Sequence, residues 1–129
     1  MDKGDETMNL EMIHAAAIRL VGNARRTPLL HSPFLDDVAD RRVLVKAECL
    51  QHTGSFKYRG AFASISALPD DVREKGILAF SSGNHAQGIA LAAKQHNAPA
   101  VIVMPSNAPE IKLANTRAYG AEVVLYDRG

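Results

Sequence analysis

The segment Thr53-Gly54-Ser55-Phe56-Lys57 places a lysine behind a glycine-containing loop, at the predicted start of a helix. The positive end of a helix disfavours an ammonium, so a lysine there is suited to act as a neutral amine nucleophile. Phe56 offers an aromatic face to a flat ligand. Thr53 and Ser55 either donate hydroxyl hydrogen bonds or cap the helix. From these residues alone, a solvated lysine behind a serine cap is the commoner arrangement.

A second candidate segment, Ser81-Ser82-Gly83-Asn84-His85, lies between a predicted strand and a predicted helix. In open α/β folds, ligands bind at this carboxyl edge of the parallel sheet. Unpaired backbone N–H groups at a helix start hold a carboxylate or phosphate, and Gly83 permits close backbone approach. The spacing matches neither G-x-G-x-x-G nor the P-loop. A turn and helix cap without a ligand remains an equal alternative on these residues.

The elements that must position both segments alternate along the chain. After a polar tail at 1–8, apolar spacing and flanking Gly and Pro predict helices at 10–23, 56–67, 86–95 and 109–119, and strands at 43–48, 76–80, 100–104 and 122–126. Strands alternating with helices indicate an α/β fold with a parallel sheet and flanking helices. The continuous aliphatic strands predict burial on both faces of that sheet.

Composition narrows the function classes. Fifteen basic and fourteen acidic side chains leave a net charge of +1, which is no electrostatic footprint for nucleic acid or an anionic membrane. The single cysteine, Cys49, allows no intramolecular disulfide, and the five histidines lack metal-ligand spacing, so no metal site is expected. Without a membrane-length apolar run or a signal peptide, a cytoplasmic location is expected.

Five stretches together resemble the fold type II pyridoxal-phosphate enzymes. The similarity is strongest to the serine/threonine dehydratase branch, which includes threonine ammonia-lyases and serine racemases. The stretches follow one another in order and at family spacing: RTPLLHSP (26–33), VLVKAECLQHTGSFKYRGA (43–61), SSGNHAQGIALAA (81–93), VIVMPSNAPEIK (101–112) and YGAEVVLYD (119–127). The resemblance overturns both of the ligand-free alternatives above.

The resemblance implies a cofactor, pyridoxal 5'-phosphate, and residues that hold it. Lys57 corresponds to the lysine that forms the Schiff base with the cofactor aldehyde and later acts as a base at the substrate α-carbon. Phe56 corresponds to the residue that packs near the pyridine ring. Asn84 corresponds to the asparagine that hydrogen-bonds the 3′-oxygen of the cofactor.

The resemblance also implies a substrate site. Ser81, Ser82, Gly83, Asn84 and His85 correspond to the loop that receives the substrate carboxylate. Ser82 occupies the position that racemases use as the acid/base on the opposite face. Lys57 and Ser82 are therefore the expected catalytic residues.

The implied reaction is removal of water and ammonia from a 3-hydroxy amino acid, of threonine or serine type, to give a 2-keto acid. Tyr58 directly after Lys57, and His85 directly after Asn84, favour the dehydratase/racemase branch over cysteine synthases and threonine synthases. Two alternatives stay open: an amino-acid racemase, and an inactive truncated relic or interaction fragment that pairs with an intact homologue. The substrate also stays open among threonine, serine, a bulkier 3-hydroxy amino acid and a product of hydroxyectoine breakdown.

Family members are well over twice as long as these 129 residues. By analogy with their tryptophan synthase β-like fold, residues 1–70 are the N-terminal part of the large domain and 75–129 are most of the small α/β domain. The rest of the large domain is expected to be absent, which leaves the fold incomplete at the C-terminus. The glycine-rich phosphate loop would lie further along, so the chain alone is expected to be inactive and the full-length form to be a homodimer.

Overall fold

The computed structural model describes residues 8–129 and contains two β-sheets. Residues 1–7, most of the predicted polar tail, lie outside the described residues. An antiparallel pair joins strand β1 (Leu29–His31) to strand β2 (Leu44–Lys46). A parallel sheet follows with its strands in chain order: β3 (Ile77–Phe80), β4 (Ala100–Pro105) and β5 (Glu122–Tyr126). The predicted α/β class with a parallel sheet is confirmed.

Six helices connect the strands within the described residues: α1 (Leu10–Leu20), α2 (Pro33–Ala39), α3 (Lys57–Ser66), α4 (Asp70–Arg73), α5 (Asn84–Gln95) and α6 (Glu110–Ala118). Two 3₁₀ turns, at Glu48–Leu50 and His52–Gly54, lead from β2 into α3. The four predicted helices are confirmed with shifted ends. Helix α2 and strand β1 are elements that the sequence analysis did not predict.

Local chemistry explains where α1 and α2 begin and end. The Asn9 side chain accepts a hydrogen bond from the Met12 amide at 2.9 Å, which caps the start of α1. Gly22 beyond its end has a φ of +76°, a conformation that glycine adopts without strain. Helix α2 begins at Pro33, whose missing N–H costs nothing in a first turn, and ends at a left-handed Asp40.

One hydrophobic core joins α3, α5 and the parallel sheet. Helix α3 contributes Tyr58, Phe62 and Ile65, and β4 contributes Ile102 and Met104. The alanines of α5 are small enough to let that helix pack closely between them. The sheet and the helix that starts at the candidate lysine are therefore packed into one unit.

The predicted burial of the sheet on both faces is wrong for the described part of the chain. Helix α5 packs on the face that carries Ile102 and Met104. On the other face, Leu78 is 75% exposed and Phe80 is 67% exposed, and Val124 is exposed as well. The reason is that no described element covers this face. None of the helices in residues 8–129 has the length and apolarity needed to cross a membrane.

Candidate active site

Lys57 is the first residue of α3 and its side chain is exposed. Its Nζ lies 5.0 Å from the centroid of the Phe56 ring, which is 58% exposed. Within residues 8–129, no acidic side chain pairs with this amine. The predicted nucleophile and its aromatic neighbour thus form an accessible pair at the start of a helix.

The loop in front of Lys57 is strained and carries buried hydroxyls. Thr53 has a φ of +60°, which is costly for a β-branched residue, and such strain concentrates at functional sites. The hydroxyls of Thr53 and Ser55 are buried and make no hydrogen bond among the described residues. Neither caps α3, because Phe56 occupies the N-cap position without a side-chain hydrogen bond. The capping alternative is therefore wrong for both residues.

An ion pair fixes the first turn of α3 to the preceding loop. Arg59 donates from Nε to Glu48 Oε2 at 2.7 Å and from a terminal nitrogen to Oε1 at 2.7 Å. Thr27 Oγ1 donates to the same carboxylate at 2.5 Å, and Lys46 Nζ donates to Thr27 Oγ1 at 2.6 Å. Such a two-point arginine–carboxylate pair restricts both position and angle. Because Arg59 follows Lys57 by two residues, the network also holds the candidate lysine.

The network changes the acidity of its carboxylate. The hydrogen bonds from Arg59 lower the pKa of Glu48 from 4.5 to about 2, and Thr27 and Lys46 act in the same direction. Burial opposes them by raising the pKa. The arginine partner outweighs burial, so Glu48 is ionised at neutral pH.

The 81–85 segment forms the start of α5. Gly83 is at the N-cap position of α5, and Ser81 Oγ, two residues earlier, accepts hydrogen bonds from the amides of Gly83 and Ala86, both at 3.3 Å. The amides of Asn84 and His85 donate no hydrogen bond within residues 8–129. The side chains of Ser82, Asn84 and His85 are exposed. The loop therefore presents donors to solvent, as an anion site requires.

A glycine brings the two candidate segments together. A Cβ on Gly88 would lie 3.1 Å from the carbonyl carbon of Lys57 and 3.2 Å from the Tyr58 nitrogen. Only a residue without a side chain permits this approach of α5 to the first turn of α3. Asn84 lies one turn before Gly88 on the same helix. The loop and Lys57 are therefore on adjoining ends of two packed helices.

Other residues important to the site were missed by the sequence analysis. The Gln51 side chain is buried and bonds both backbone groups of Arg25, at 2.9 Å and 2.8 Å. The buried Tyr58 hydroxyl donates to Gln95 Oε1 at 2.7 Å. Lys112 packs on Gly83. Of these residues, only Lys112 could have been recognised from the sequence, because it lies in the first turn of a predicted helix, as Lys57 does.

The described residues contain no group of three or more histidine, cysteine, aspartate or glutamate side chains placed to hold a metal ion.

Comparison with known proteins gives consistent findings. A family model described as "Pyridoxal-phosphate dependent enzyme" matches residues 21–129. A Pseudomonas sp. protein named L-threo-3-hydroxyaspartate ammonia-lyase is 57% identical over 113 residues, which are 88% of this chain and 35% of that protein. The chain therefore spans about a third of the length of the curated relatives it matches.

Solved structures agree with the sequence relatives. Maize serine racemase matches with a TM-score of 0.90 at 40% identity, covering 94% of this chain and 37% of that one. The T.th. threonine deaminase matches with a TM-score of 0.82 at 51% identity, covering 95% of this chain and 37% of that one.

Proposed function

The chain belongs to the pyridoxal-phosphate dependent enzyme family, and from this premise we propose that the intact natural protein is a lyase acting on a 3-hydroxy amino acid. It eliminates water from that substrate, and hydrolysis of the dehydrated product then takes up one water and releases ammonia and a 2-keto acid. The family membership confirms the resemblance seen in the sequence and the fold expected from it. The observation that carries the proposal is the accessible Lys57 amine, held beside a helix start with unpaired amides.

The residues around Lys57 fit pyridoxal phosphate. The amine suits the cofactor aldehyde, the exposed Phe56 ring suits a flat pyridine, and the exposed carboxamide of Asn84 suits a ring oxygen. The absence of a Cβ at Gly88 keeps these groups on adjoining helix ends. When bound, the cofactor supplies the electron sink that makes the substrate α-proton acidic.

Lys57 has two tasks in this proposal. Its Nζ is the group that would hold the cofactor aldehyde, and the same amine would serve as the base that takes the proton from the substrate α-carbon. The Glu48–Arg59 pair keeps the first turn of α3, and with it Lys57, in place.

The loop 81–85 binds the substrate carboxylate. The amides of Asn84 and His85 point their N–H groups at the anion, and the dipole of α5 adds a favourable field. Ser81 holds the loop in shape through the hydrogen bonds that it accepts from the amides of Gly83 and Ala86. Because these donors are fixed before the substrate arrives, binding needs little reorganisation.

The domain arrangement and assembly belong to the same proposal. Residues 1–70 form the N-terminal part of a larger domain and 75–129 form most of a smaller one, in a protein that works as a homodimer. The similarity to relatives about three times as long supports a longer protein. The boundary near residue 70 and the homodimer stay predictions, and α3 and α5, which lie on either side of that boundary, share one core within the described residues.

L-threo-3-hydroxyaspartate should be the first substrate tested, because the name of the 57% identical Pseudomonas relative specifies it. L-Threonine is the second choice, in view of the match to the T.th. threonine deaminase. L-Serine completes the series. All three carry the hydroxyl leaving group on the carbon next to the one that loses its proton.

The deciding experiment is release of 2-keto acid and ammonia by the intact natural protein and its Lys57→Ala variant. We expect turnover of at least one of the three substrates and a loss of about 10³-fold or more in the variant. Lys94→Ala is the matched control, because Lys94 is exposed in the last turn of α5. Turnover by Lys57→Ala at the parent rate would disprove the assignment.

A racemase is the second candidate function, favoured by one observation. The exposed Ser82 side chain makes no hydrogen bond within the described residues and stands on the loop that we assign to the substrate carboxylate. A hydroxyl there can exchange a proton on the face opposite Lys57. Ser82→Ala should then remove formation of the D-amino acid while keto acid release continues. An equal loss of both products, or no loss of either, would count against racemisation.

A further inference from the structure

Lys112 places its ammonium directly against the loop that starts α5. A Cβ built on Gly83 would lie 3.0 Å from Lys112 Nζ and 3.3 Å from its Cδ. The side chain thus reaches from the first turn of α6 across to the N-terminus of the neighbouring helix. Asn115 Nδ2 donates to Gln87 Oε1 at 3.1 Å and fixes the two helices to each other one turn further along.

The charges around Lys112 are unbalanced. Within residues 8–129, no acidic side chain lies within 4.0 Å of its Nζ and no hydrogen bond uses that nitrogen. Lysine is the third residue of α6, where the helix dipole disfavours a cation. The N-terminus of α5, which it touches, is also positive. The Lys112 ammonium therefore lies against the positive end of a second helix, and a bound anion would relieve this repulsion.

We propose that Lys112 supplies the positive charge that binds the substrate carboxylate at the 81–85 loop, together with the amides of Asn84 and His85. The identity of the anion rests on the proposed function above. The geometry that carries the proposal is the contact of Lys112 with Gly83, because Gly83 precedes those two amides directly. An ammonium beside two N–H donors suits the two oxygens of one carboxylate.

The contact also explains why glycine stands at position 83. Gly83 is buried, and a methyl group there would occupy the space of the Lys112 side chain. The ammonium end is flexible and would move away. Gly83→Ala is therefore a second way to displace the charge without removing it, and it should weaken carboxylate binding in the same direction as loss of Lys112.

The first test uses the intact natural protein with its cofactor. We expect Lys112→Met to raise the KM for the amino acid about tenfold while kcat stays within about threefold, the effect of losing one charge-assisted contact. Lys112→Arg should restore most of the affinity. Lys94→Met is the matched control, because it removes the same charge from the far end of α5. An unchanged KM in Lys112→Met, or an equal rise in Lys94→Met, would overturn the proposal.

A second readout needs no turnover. In the intact protein freed of cofactor, acetate should shift the NMR signals of the Asn84 and His85 amides, with about tenfold weaker binding in Lys112→Met. If acetate binding depends on Lys112 but no substrate is turned over, the proposed function fails and the inference stands. If turnover is normal and acetate binding is unchanged, the inference fails. A loss of cofactor affinity with an unchanged KM would assign the charge to the cofactor phosphate and would also overturn it.

Discussion

At the scale of single residues, Glu48 controls how acid affects the site. Its pKa in the folded protein is about 2, against 4.5 for the free side chain, chiefly because Arg59 donates to both of its oxygens. Folding therefore gains free energy from the ionised carboxylate above about pH 4.5, and loses that gain as the pH falls towards 2. The first turn of α3, and with it Lys57, should loosen in that interval.

A substitution measures this effect. Glu48→Gln keeps the shape and removes the charge, so it should lower the free energy of unfolding by about 2 kcal/mol at pH 7. The difference from the parent should shrink as the pH falls from 4.5 towards 2, because the parent carboxylate protonates there. Urea unfolding of the intact protein at several pH values gives both results. Asp37→Asn, at an exposed acid on α2, is the control; the same loss in that variant would refute the argument.

At the scale of secondary-structure elements, the contact of α5 with α3 depends on a missing side chain. Gly88→Ala would put a methyl group 3.1–3.2 Å from backbone atoms of Lys57 and Tyr58. Unlike the end of a flexible side chain, these backbone atoms cannot rotate away from the methyl group. We expect a cost of about 1–3 kcal/mol in unfolding free energy and lower activity. Thermal unfolding and keto acid release measure the two effects.

Gly60→Ala is the matched variant on α3. Nothing lies within 4 Å of a Cβ built on Gly60, so alanine should stabilise the helix by about 0.5–1 kcal/mol. The two substitutions replace the same residue type within helices and should have opposite signs. Equal effects would mean that helix propensity, and not the contact with Lys57, decides the outcome.

The helices and strands show how much of the fold could be predicted from the sequence. Strand β5 was predicted with its observed ends, and α5 was recognised by its alanine-rich stretch. Helix α2 was missed because its seven residues are too few to establish a periodic apolar pattern; its Phe34 and Val38 are 84% and 85% exposed. Burial of the sheet was overestimated because a sequence does not show which face its helices cover.

For the candidate site, the sequence led to the residues but not to the hydrogen bonds that hold them in place. The resemblance proposed its residues, and their roles remain predictions. The Glu48–Arg59–Thr27 network could not be predicted, because its members are 11 to 32 positions apart and meet only through the folding of the loop before α3. Lys112 was overlooked although the rule applied to Lys57, a cation at the positive end of a helix, also singles it out.

At the scale of the whole molecule, the uncovered face of the parallel sheet predicts how the 129 residues behave alone. Leu78 and Phe80 present a continuous apolar surface with Val124, and the net charge is only +1. Both features favour association. The isolated chain should therefore bind a hydrophobic dye and elute above 13.9 kDa in size-exclusion chromatography with light scattering.

Two variants of the isolated chain test whether this uncovered apolar face causes the association. Replacing Leu78 and Phe80 by serine should reduce dye binding by the isolated chain and move its mass towards that of a monomer. Leu29→Ser, at an exposed position on β1, is the control. A monomeric parent chain that binds no dye would show that the face is covered by a rearrangement of the described elements.

The common core of α3 and α5 has a consequence for motion. Tyr58 and Phe62 pack among the alanines of α5, and the Tyr58 hydroxyl bonds Gln95 at the end of that helix. The helix bearing Lys57 and the helix bearing the 81–85 loop should therefore open together. Their backbone amides should exchange with deuterium at one common slow rate, as a single cooperative unit. Admission of a substrate would then depend on motions elsewhere, with the spacing between amine and loop preserved throughout.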